Sequence, residues 1–564
     1  MLYLLLATIV LPLLGAGGIF LASRVFVKRD VDRVRFWTTA GALVIAFATL
    51  IVVCVLRRSS GAPTVPSTAQ SPLLSQSVVR FQLHPALWPL ALILTLSSCS
   101  FLLVALGHRS DAPPWVAAIP LLLLGPGLGA FWSANPLTML VTWALYDLAL
   151  VFVQIAVGDE ERKSVRSLAF GSAATVLLWV GVVLAGDGTG TVQWALMPPG
   201  GAQMTVWMIA GLLRLGVYPL HLSTPGKISF SSALGGTLFL SPVIGWGLLV
   251  RLAGVSGGVL PIEPWGAIAA ALTLTAGGVL AWTARSSWDA RRWISMGMNG
   301  GVLLAAASLA RAVGNQGPAA DVSLAVLSLG VAGWMLGVTV LFVGGGLSIS
   351  RVLERREAPL TIASLIGALW MIGGPITLGF VAEAYSVGDL LRAGNWGAVV
   401  GFLVAQVFLV AAVLQWLFPA ALSEEREGSR LQLVSDAVGL IVPALALVLI
   451  ALAPNLVLVG SSRLSPNLLF TGPGLVGWLL WVTALAVGAV LAFHGLYLRP
   501  FPALWRDTIH DAVLLDWAYG LMLGAFEQGF AVVRTVDDIL GGRGALLWSF
   551  VLFLVLILVL RVGQ

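Results

Sequence analysis

The chain contains 564 residues, of which 59% are hydrophobic and only 10% are charged, and its mean hydropathy is +0.97. A soluble domain carries about 25% charged residues, so this composition excludes a soluble enzyme, a disordered chain and a nucleic-acid-binding protein. The two cysteines, Cys54 and Cys99, lie within apolar segments, and the five histidines lack the spacing of a zinc site. We therefore expect no catalytic residue, no metal and no cofactor on this chain.

Apolar segments long enough to cross a bilayer recur from one end of the chain to the other. A transmembrane helix needs about 20 apolar residues to cross roughly 30 Å of hydrocarbon. Sixteen segments approach or exceed this length and predict an all-α polytopic membrane protein. They comprise residues 2–22, 36–56, 85–107, 114–132, 136–157, 166–186, 203–220, 231–253, 264–284, 293–311, 322–346, 360–388, 396–420, 434–459, 474–496 and 545–561.

The basic residues predict the orientation of these spans. With the N-terminus outside, the inner connections hold 22 of the 31 lysine and arginine residues and the outer connections hold eight, in agreement with the positive-inside rule. Basic residues follow the first span and none precedes it, which is the reverse of a cleaved signal peptide. We expect a multi-pass protein of the cell membrane (inner or plasma membrane) with both termini outside. The net charge of +6 reflects this bias of the loops.

Two connections between predicted spans are long enough to be interpreted separately. Residues 58–83 are rich in Ser, Pro and Gln, which predicts a solvated outer loop. Within residues 497–544, apolar residues such as Leu514, Leu521 and Phe526 recur at helical spacing, and charged residues occupy the other face. This pattern predicts an amphipathic helix on the inner membrane surface or against a partner. The alternative is a simple linker.

Ionisable residues within a span are costly and therefore indicate function. Asp147 lies in the middle of span five, Arg214 in span seven and Glu383 in span twelve, and His221 lies near the end of span seven. An acid and a guanidinium group in neighbouring spans lower each other's cost, so we expect Asp147 and Arg214 to form a pair. A pair kept for packing alone is the alternative.

Glycine and proline interrupt two of these spans. Span seven contains Gly216 and Pro219, and span twelve contains Gly373, Gly374 and Pro375, and proline removes a backbone donor and clashes with the preceding turn. Interrupted helices at corresponding places in two halves indicate a transport site. The two breaks are five spans apart, which predicts an inverted five-helix repeat of spans 4–8 and 9–13.

These elements suggest a division of the chain into segments. The predicted segments are an N-terminal three-helix segment over 1–110 with the outer loop, a first antiporter-like repeat over 111–255, a second, inverted repeat over 256–420, two further spans over 421–496, the amphipathic region over 497–544 and a C-terminal span over 545–564.

Three stretches of sequence resemble a known family. RLGVYPLHLSTP in span seven, WDARRWIS before span ten and GGPITLGFVAEAYSV in span twelve are similar to motifs of the antiporter-like membrane subunits of complex I (NADH:quinone oxidoreductase) and of Mrp-type cation/proton antiporters. Their order and spacing match over roughly residues 110–460. The resemblance implies a proton-translocating fold with two broken helices, inside a multi-subunit complex.

The resemblance also implies roles for individual residues. Asp147 stands at the family's span-five glutamate, Arg214 at its span-seven lysine, and Glu383 at the terminal ionisable residue of span twelve. His221 matches the histidine of the Pro-x-His motif. These four residues are the candidate proton-translocation residues.

The central lysines of the family have no counterpart in this chain. None of its three lysines lies within a span, and the family's span-eight and span-eleven lysines align near Val243 and near Trp334 and Met335. Arginine remains charged in proteins, so Arg214 can bias Asp147 but cannot pass on a proton. Polar side chains that could support water are the remaining candidates, although for most of them simple interhelical hydrogen bonding is the alternative. They are Asn299, Tyr385, Gln406 and Gln415, with Ser232, Ser241 and Thr339 as further polar positions.

Three functions are compatible with this pattern. The favoured one is a proton-translocating subunit of a complex-I-like assembly, with redox cofactors on partner subunits and a quinone as electron carrier. The second is a scaffold subunit that has lost its relay, which the missing lysines favour and the retained intramembrane charges oppose. The third is an Mrp-like cation/proton antiporter or a membrane partner in inorganic-carbon uptake. The expected partners are other membrane subunits, the lipid bilayer and protons, with sodium as the alternative ion, and no nucleic acid.

Overall fold

A computed structural model provides the structure of this chain, and it describes most of the residues. The described residues are 2–26, 30–59, 79–108, 112–157, 161–185, 193–194, 197, 200–221, 233–258, 260, 265–313, 317–344, 358–375, 377–392, 394–418, 430–458, 474–493, 503–521, 524 and 528. Within these residues the chain is helical, and the single β-type pairing is an isolated bridge between Phe81 and Ser133.

Eighteen α-helices are described, and they are numbered here in chain order. They are α1 (Leu2–Phe26), α2 (Val31–Ser59), α3 (Trp88–Gly107), α4 (Ile119–Trp132), α5 (Pro136–Val157), α6 (Glu161–Leu184), α7 (Ala202–Leu215), α8 (Val243–Val255), α9 (Trp265–Thr283), α10 (Ser287–Val313), α11 (Gly317–Val343), α12 (Ala358–Met371), α13 (Leu378–Arg392), α14 (Trp396–Leu417), α15 (Arg430–Leu452), α16 (Pro454–Val457), α17 (Gly474–Phe493) and α18 (Ala503–Leu514). Short 3-10 segments precede α3, α4 and α8.

The predicted all-α polytopic class is confirmed. Eleven of the helical segments in the described part of the chain are long and apolar enough to cross a membrane, and three shorter apolar helices over 169–184, 202–215 and 360–371 accompany them. The last of the sixteen predicted spans, 545–561, lies outside the described residues, so the count of sixteen stays a prediction, as do the segment boundaries and the inverted repeat.

Glycine residues allow neighbouring helices of this protein to pack at short distances. In the α9–α10 pair, a Cβ atom added to Gly277 would lie 2.5 Å from Cα of Gly297, a separation that real side chains do not adopt. Close backbone approach through glycine is the usual means of packing membrane helices. Here it holds α10, and with it Asn299, tightly against its neighbours.

At both predicted breaks, the helix that precedes the break ends where the sequence predicts. α7 ends at Leu215 because Gly216 adopts a left-handed conformation, with φ of 68°, that glycine accommodates without strain. α12 ends at Met371 and α13 begins at Leu378, with Gly373 at φ of 57° between them. Span twelve is therefore two helices joined by a short non-helical link. The continuation of span seven, residues 222–232, lies outside the described residues.

The C-terminal residues form a second compact unit, beginning at Phe501. Its described part contains α18, which ends before Leu515 at φ of 58°, and residues 516–521 are helical again. Leu504, Trp505 and Trp517 are exposed, and the amphipathic helix over 497–544 stays a prediction. Most of the predicted amphipathic region beyond 521, and the outer loop from 60 to 78, lie outside the described residues.

Candidate functional site

The structure brings Asp147 and Arg214 together. Asn135 and Pro136 begin α5, where the Asn135 side chain accepts a hydrogen bond from the Thr138 amide at 2.8 Å, a typical N-terminal cap. Asp147 is about three turns further along α5, and its Oδ1 lies 2.6 Å from Nη2 of Arg214 in α7. The two side chains are only 13% and 4% exposed, so the predicted pair exists and is buried.

Neighbouring side chains hold the Asp147–Arg214 pair in place. Thr175 in α6 donates a hydrogen bond of 2.7 Å to the other carboxylate oxygen of Asp147. The Arg214 guanidinium lies 5.5 Å from the ring centre of Tyr146 and 5.9 Å from that of Trp143, distances at which an aromatic face attracts a cation. The charge of Arg214 is thus balanced by one carboxylate and two rings.

A glycine provides the space that this pair occupies. A Cβ atom on Gly171 in α6 would lie 3.0 Å from Nη1 of Arg214 and 3.9 Å from both carboxylate oxygens of Asp147. Any larger residue at this position would press directly against the guanidinium group. Gly171 therefore lets α6 approach the pair closely enough for Thr175 to reach it.

His221 follows the break in span seven and is fully buried. Its Nδ1 lies 3.0 Å from the carbonyl oxygen of Pro219, so Nδ1 carries the proton in this contact, because a carbonyl can only accept. The ring stacks on Tyr218 at 5.3 Å and meets Trp293 edge-on at 5.5 Å. These contacts fix the ring within an aromatic cluster at the end of the broken helix.

Aromatic and amide side chains occupy the centre of the chain, near Val243 and Trp334, two of the positions for which the resemblance predicted lysines. Oδ1 of Asn299 accepts a hydrogen bond of 2.9 Å from the indole of Trp246, and its Nδ2 donates to the carbonyl oxygen of Leu215 at 3.4 Å. Trp334 donates to the carbonyl oxygen of Ser295 at 3.2 Å, and Trp246 and Trp334 are fully buried. Asn299 thus links α10 to α7 and α8 by interhelical hydrogen bonds.

Glu383 lies in α13, just after the link in span twelve. Nε2 of Gln406 in α14 donates a hydrogen bond of 2.6 Å to Oε1 of Glu383, and Gln406 is only 3% exposed. A Cβ atom on Gly373 would lie 2.5 Å from the same carboxylate oxygen. Position 373 therefore requires glycine for two reasons, namely its left-handed backbone and the carboxylate that rests against it.

Two cavities border Glu383. One has a volume of about 60 Å³ and extends towards α9, α10 and α11, where Leu274, Met298 and Trp334 line it. The other has a volume of about 20 Å³ and extends towards α17. Trp481 of α17 and Gln406 of α14 line it. The carboxyl group thus borders two small cavities, the larger of which is lined mainly by apolar side chains.

The remaining predicted polar residues are placed differently. Gln415 lies nine residues beyond Gln406 on α14 and is partly exposed; this separation is about 13 Å along a helix and half a rotation around it, so Gln415 faces away from Glu383. Thr339 donates to Ser97 at 2.7 Å, which joins α11 to α3. The side chain of Tyr385 and residue Ser232 lie outside the described residues.

Several contacts at these sites could not be inferred from local sequence patterns. Trp143 precedes Asp147 by four residues, so helical spacing places it on the same face and could have identified it. Thr175 and Trp481 come from other helices, and no local pattern connects them with their acidic neighbours. In the described part of the chain, no three His, Cys, Asp or Glu side chains lie together as a metal site would require.

These features define a class of protein: a polytopic helical membrane protein in which one interrupted helix, and the glycine-terminated end of another, lie beside ionisable side chains that are largely withdrawn from solvent. No protein-family profile matches the sequence. Subunit N of the NADH-quinone oxidoreductase of Desulforudis audaxviator (strain MP104C) is 28% identical over 318 residues, which are 50% of this chain. The match spans 61% of the length of that relative.

Solved structures share the fold at low sequence identity. A chain of the Mrp complex from Dietzia sp. DQ12-45-1b has a TM-score of 0.70 at 16% identity, over 99% of this chain and 63% of that one. A chain of the membrane-bound sulfane sulfur reductase, an archaeal respiratory membrane complex, has a TM-score of 0.62 at 15% identity, over 100% and 99%. A chain of respiratory complex I from Thermus thermophilus has a TM-score of 0.57 at 17% identity, over 86% and 99%. The expected antiporter-like fold is confirmed.

Proposed function

We propose that this protein is a proton-translocating membrane subunit of a complex-I-like, quinone-linked oxidoreductase. The observation that carries the proposal is Glu383, a half-buried carboxyl group next to a broken helix that lines two cavities. Electron transfer takes place on partner subunits, and this chain contributes a path for protons. The similarity to a subunit of an NADH-quinone oxidoreductase and to chains of respiratory complexes supports this assignment.

Glu383 has surroundings that suit both of its protonation states. The charged form of a buried carboxyl is costly unless it is hydrogen-bonded, and Nε2 of Gln406 supplies that bond. When the carboxyl is protonated, a half-turn of the Gln406 amide presents its oxygen as an acceptor for the new O–H. The two side chains can therefore keep a hydrogen bond between them in both protonation states of Glu383.

The Asp147–Arg214 pair acts as an electrostatic switch in this proposal. Protonation of Asp147 would leave the guanidinium group of Arg214 without its balancing carboxylate in a low-dielectric region. Such a charge disfavours further positive charge along the membrane arm. The pair thereby couples the first half to proton movement in the second half. Partner subunits in the membrane and a position in the cell membrane with both termini outside are part of this proposal.

The scaffold function is a second candidate, and the packed centre of the chain favours it. Trp246, Asn299 and Trp334 occupy the region between the two acidic sites with side chains that do not titrate. An Mrp-like cation/proton antiporter, or a membrane partner in inorganic-carbon uptake, remains a third candidate, because a chain of an Mrp complex shares the fold. Replacement of protons by sodium belongs to this candidate.

The experiment that tests the proposal uses the intact complex in sealed vesicles. Quinone-linked electron transfer should acidify one side of the membrane in sodium-free buffer, and an uncoupler should abolish the signal. Glu383→Gln, which keeps volume and hydrogen bonding, should lower proton translocation while assembly stays normal. Asp32→Asn is the control, because it removes an acidic group that is 70% exposed. Equal translocation by wild type and Glu383→Gln would favour the scaffold function.

A further inference from the structure

The smaller cavity beside Glu383 has the size and the lining of a site for one water molecule. Its volume is about 20 Å³, and a cavity needs roughly 10–15 Å³ of this kind of space to hold a single water, together with two to four polar partners. Residues of α13, α14 and α17 line it, and Phe380 and Phe402 contribute apolar walls. The apolar walls and the small volume exclude a polar ligand larger than water.

Three polar side chains line this cavity, and two of them have buried atoms without a hydrogen-bond partner. Oε1 of Gln406 and Nε1 of Trp481 are buried, and neither has a partner among the described residues. Glu383, the third, accepts from Gln406 through only one of its two oxygens in the bonds the structure shows. An orphaned acceptor, an orphaned donor and a carboxylate therefore border one small space.

Buried polar atoms are rarely left without partners, because each costs free energy comparable to a lost hydrogen bond. One water molecule would satisfy all three groups of this site. Its oxygen would accept from the indole N–H of Trp481, and its two hydrogens would be donated to Gln406 Oε1 and to the Glu383 carboxylate. This arrangement uses three of the four hydrogen bonds that water can form.

We propose that Glu383, Gln406 and Trp481 bind a structural water molecule that hydrates the Glu383 carboxylate from the side of α17. The inference rests on the proposed function, and it adds α17 to the elements that control Glu383. The water stabilises the charged form of the carboxyl, so it favours release of the proton that Glu383 carries. Trp481 acts on Glu383 through the water and is a positioning residue.

The direct test is a single-particle structure of the complex at a resolution that shows ordered water. Density for one water should lie within hydrogen-bond distance of Trp481 Nε1 and Gln406 Oε1. The same density should disappear in Trp481→Phe, which removes the indole N–H but keeps an aromatic ring. A wild-type cavity without density at that resolution would overturn the inference.

The functional test compares two tryptophans on the same helix. Trp478 lies three residues before Trp481, packs against Phe380 at 4.9 Å between ring centres, and does not line the cavity. Trp481→Phe should lower the rate of proton translocation about fivefold, the effect expected for one lost hydrogen bond, and Trp478→Phe should leave it unchanged. Equal rates in wild type and Trp481→Phe, or equal losses in both variants, would contradict the inference.

Glu383→Gln separates this inference from the proposed function. If Glu383→Gln lowers translocation and Trp481→Phe does not, Glu383 carries protons without the water and the inference fails alone. If Glu383→Gln has no effect, the proposed function fails, and the role given to the water fails with it. Loss of translocation in Glu383→Gln, together with the expected tryptophan results, supports both.

Discussion

Gln406 donates a hydrogen bond of 2.6 Å to Glu383 across the interface between α13 and α14. The two residues are 23 positions apart in the chain and come together because α13 and α14 pack against each other. This contact gives the second half of the protein an acid–amide pair. Asp147 instead faces the guanidinium group of Arg214, so the two acids differ in whether they lie next to a fixed charge.

The stability losses caused by substituting Asp147 and Arg214 should not be additive. Removing one member leaves an uncompensated buried charge, which costs about 3–5 kcal/mol. Asp147→Asn and Arg214→Met should each lower thermal stability or assembly, and the double variant should recover part of the loss. Thermal unfolding of the purified complex in a double-mutant cycle measures this coupling. Additive losses in the double variant would show that the two side chains do not interact.

Gly373 should tolerate no side chain. Gly373→Ala places a methyl group 2.5 Å from the Glu383 carboxylate at a φ of 57°, and strain of this kind costs on the order of 1–3 kcal/mol. We expect lower stability and lower proton translocation. Gly388→Ala in α13 is the matched control, because a Cβ there would meet nothing within 4 Å. Similar effects of the two substitutions would refute the account of position 373.

The hydrogen bond between Trp246 and Asn299 should be structural. Trp246→Phe leaves Oδ1 of Asn299 without the donor that lies 2.9 Å away, and an unsatisfied buried acceptor costs about 1–3 kcal/mol. Stability measured by thermal unfolding should fall, whereas the number of protons moved per electron should be unchanged in the assembled complex. A changed ratio with normal stability would instead place Asn299 on the proton path.

The charge bias of the loops predicts the topology. In a variant without Cys54 and Cys99, a cysteine introduced at position 70 should react with an impermeant reagent added from outside, and one at position 163 should not. Permeabilised cells provide the control, in which both positions react. The opposite pattern would reverse the orientation.

The sequence predicted which helices carry the functional groups better than it predicted their contacts. An intramembrane charge is visible in a sequence because hydrocarbon makes it rare, so Asp147, Arg214 and Glu383 could be identified from single spans. Glycine and proline likewise mark the breaks, since few other residues produce them.

Contacts between helices could not be predicted in the same way. Gln406 was a candidate only as one of several polar residues, and Gln415 on the same helix was an equal candidate although it lies on another face. Trp481 was indistinguishable among 22 tryptophans. Which of them meets Glu383 depends on how α13, α14 and α17 pack, and one chain's local periodicity contains no information about that packing.

The decisive measurement for the proposed role of Glu383 is the number of protons translocated per electron in vesicles that contain the intact complex. Glu383→Gln and Asp147→Asn are compared with wild type after assembly has been verified, so that misfolding is not mistaken for lost transport. The account predicts normal assembly and a reduced ratio for Glu383→Gln, because glutamine cannot carry the proton, and a reduced ratio in whatever Asp147→Asn complex assembles. An unchanged ratio in both fully assembled variants would contradict it and identify the protein as a scaffold.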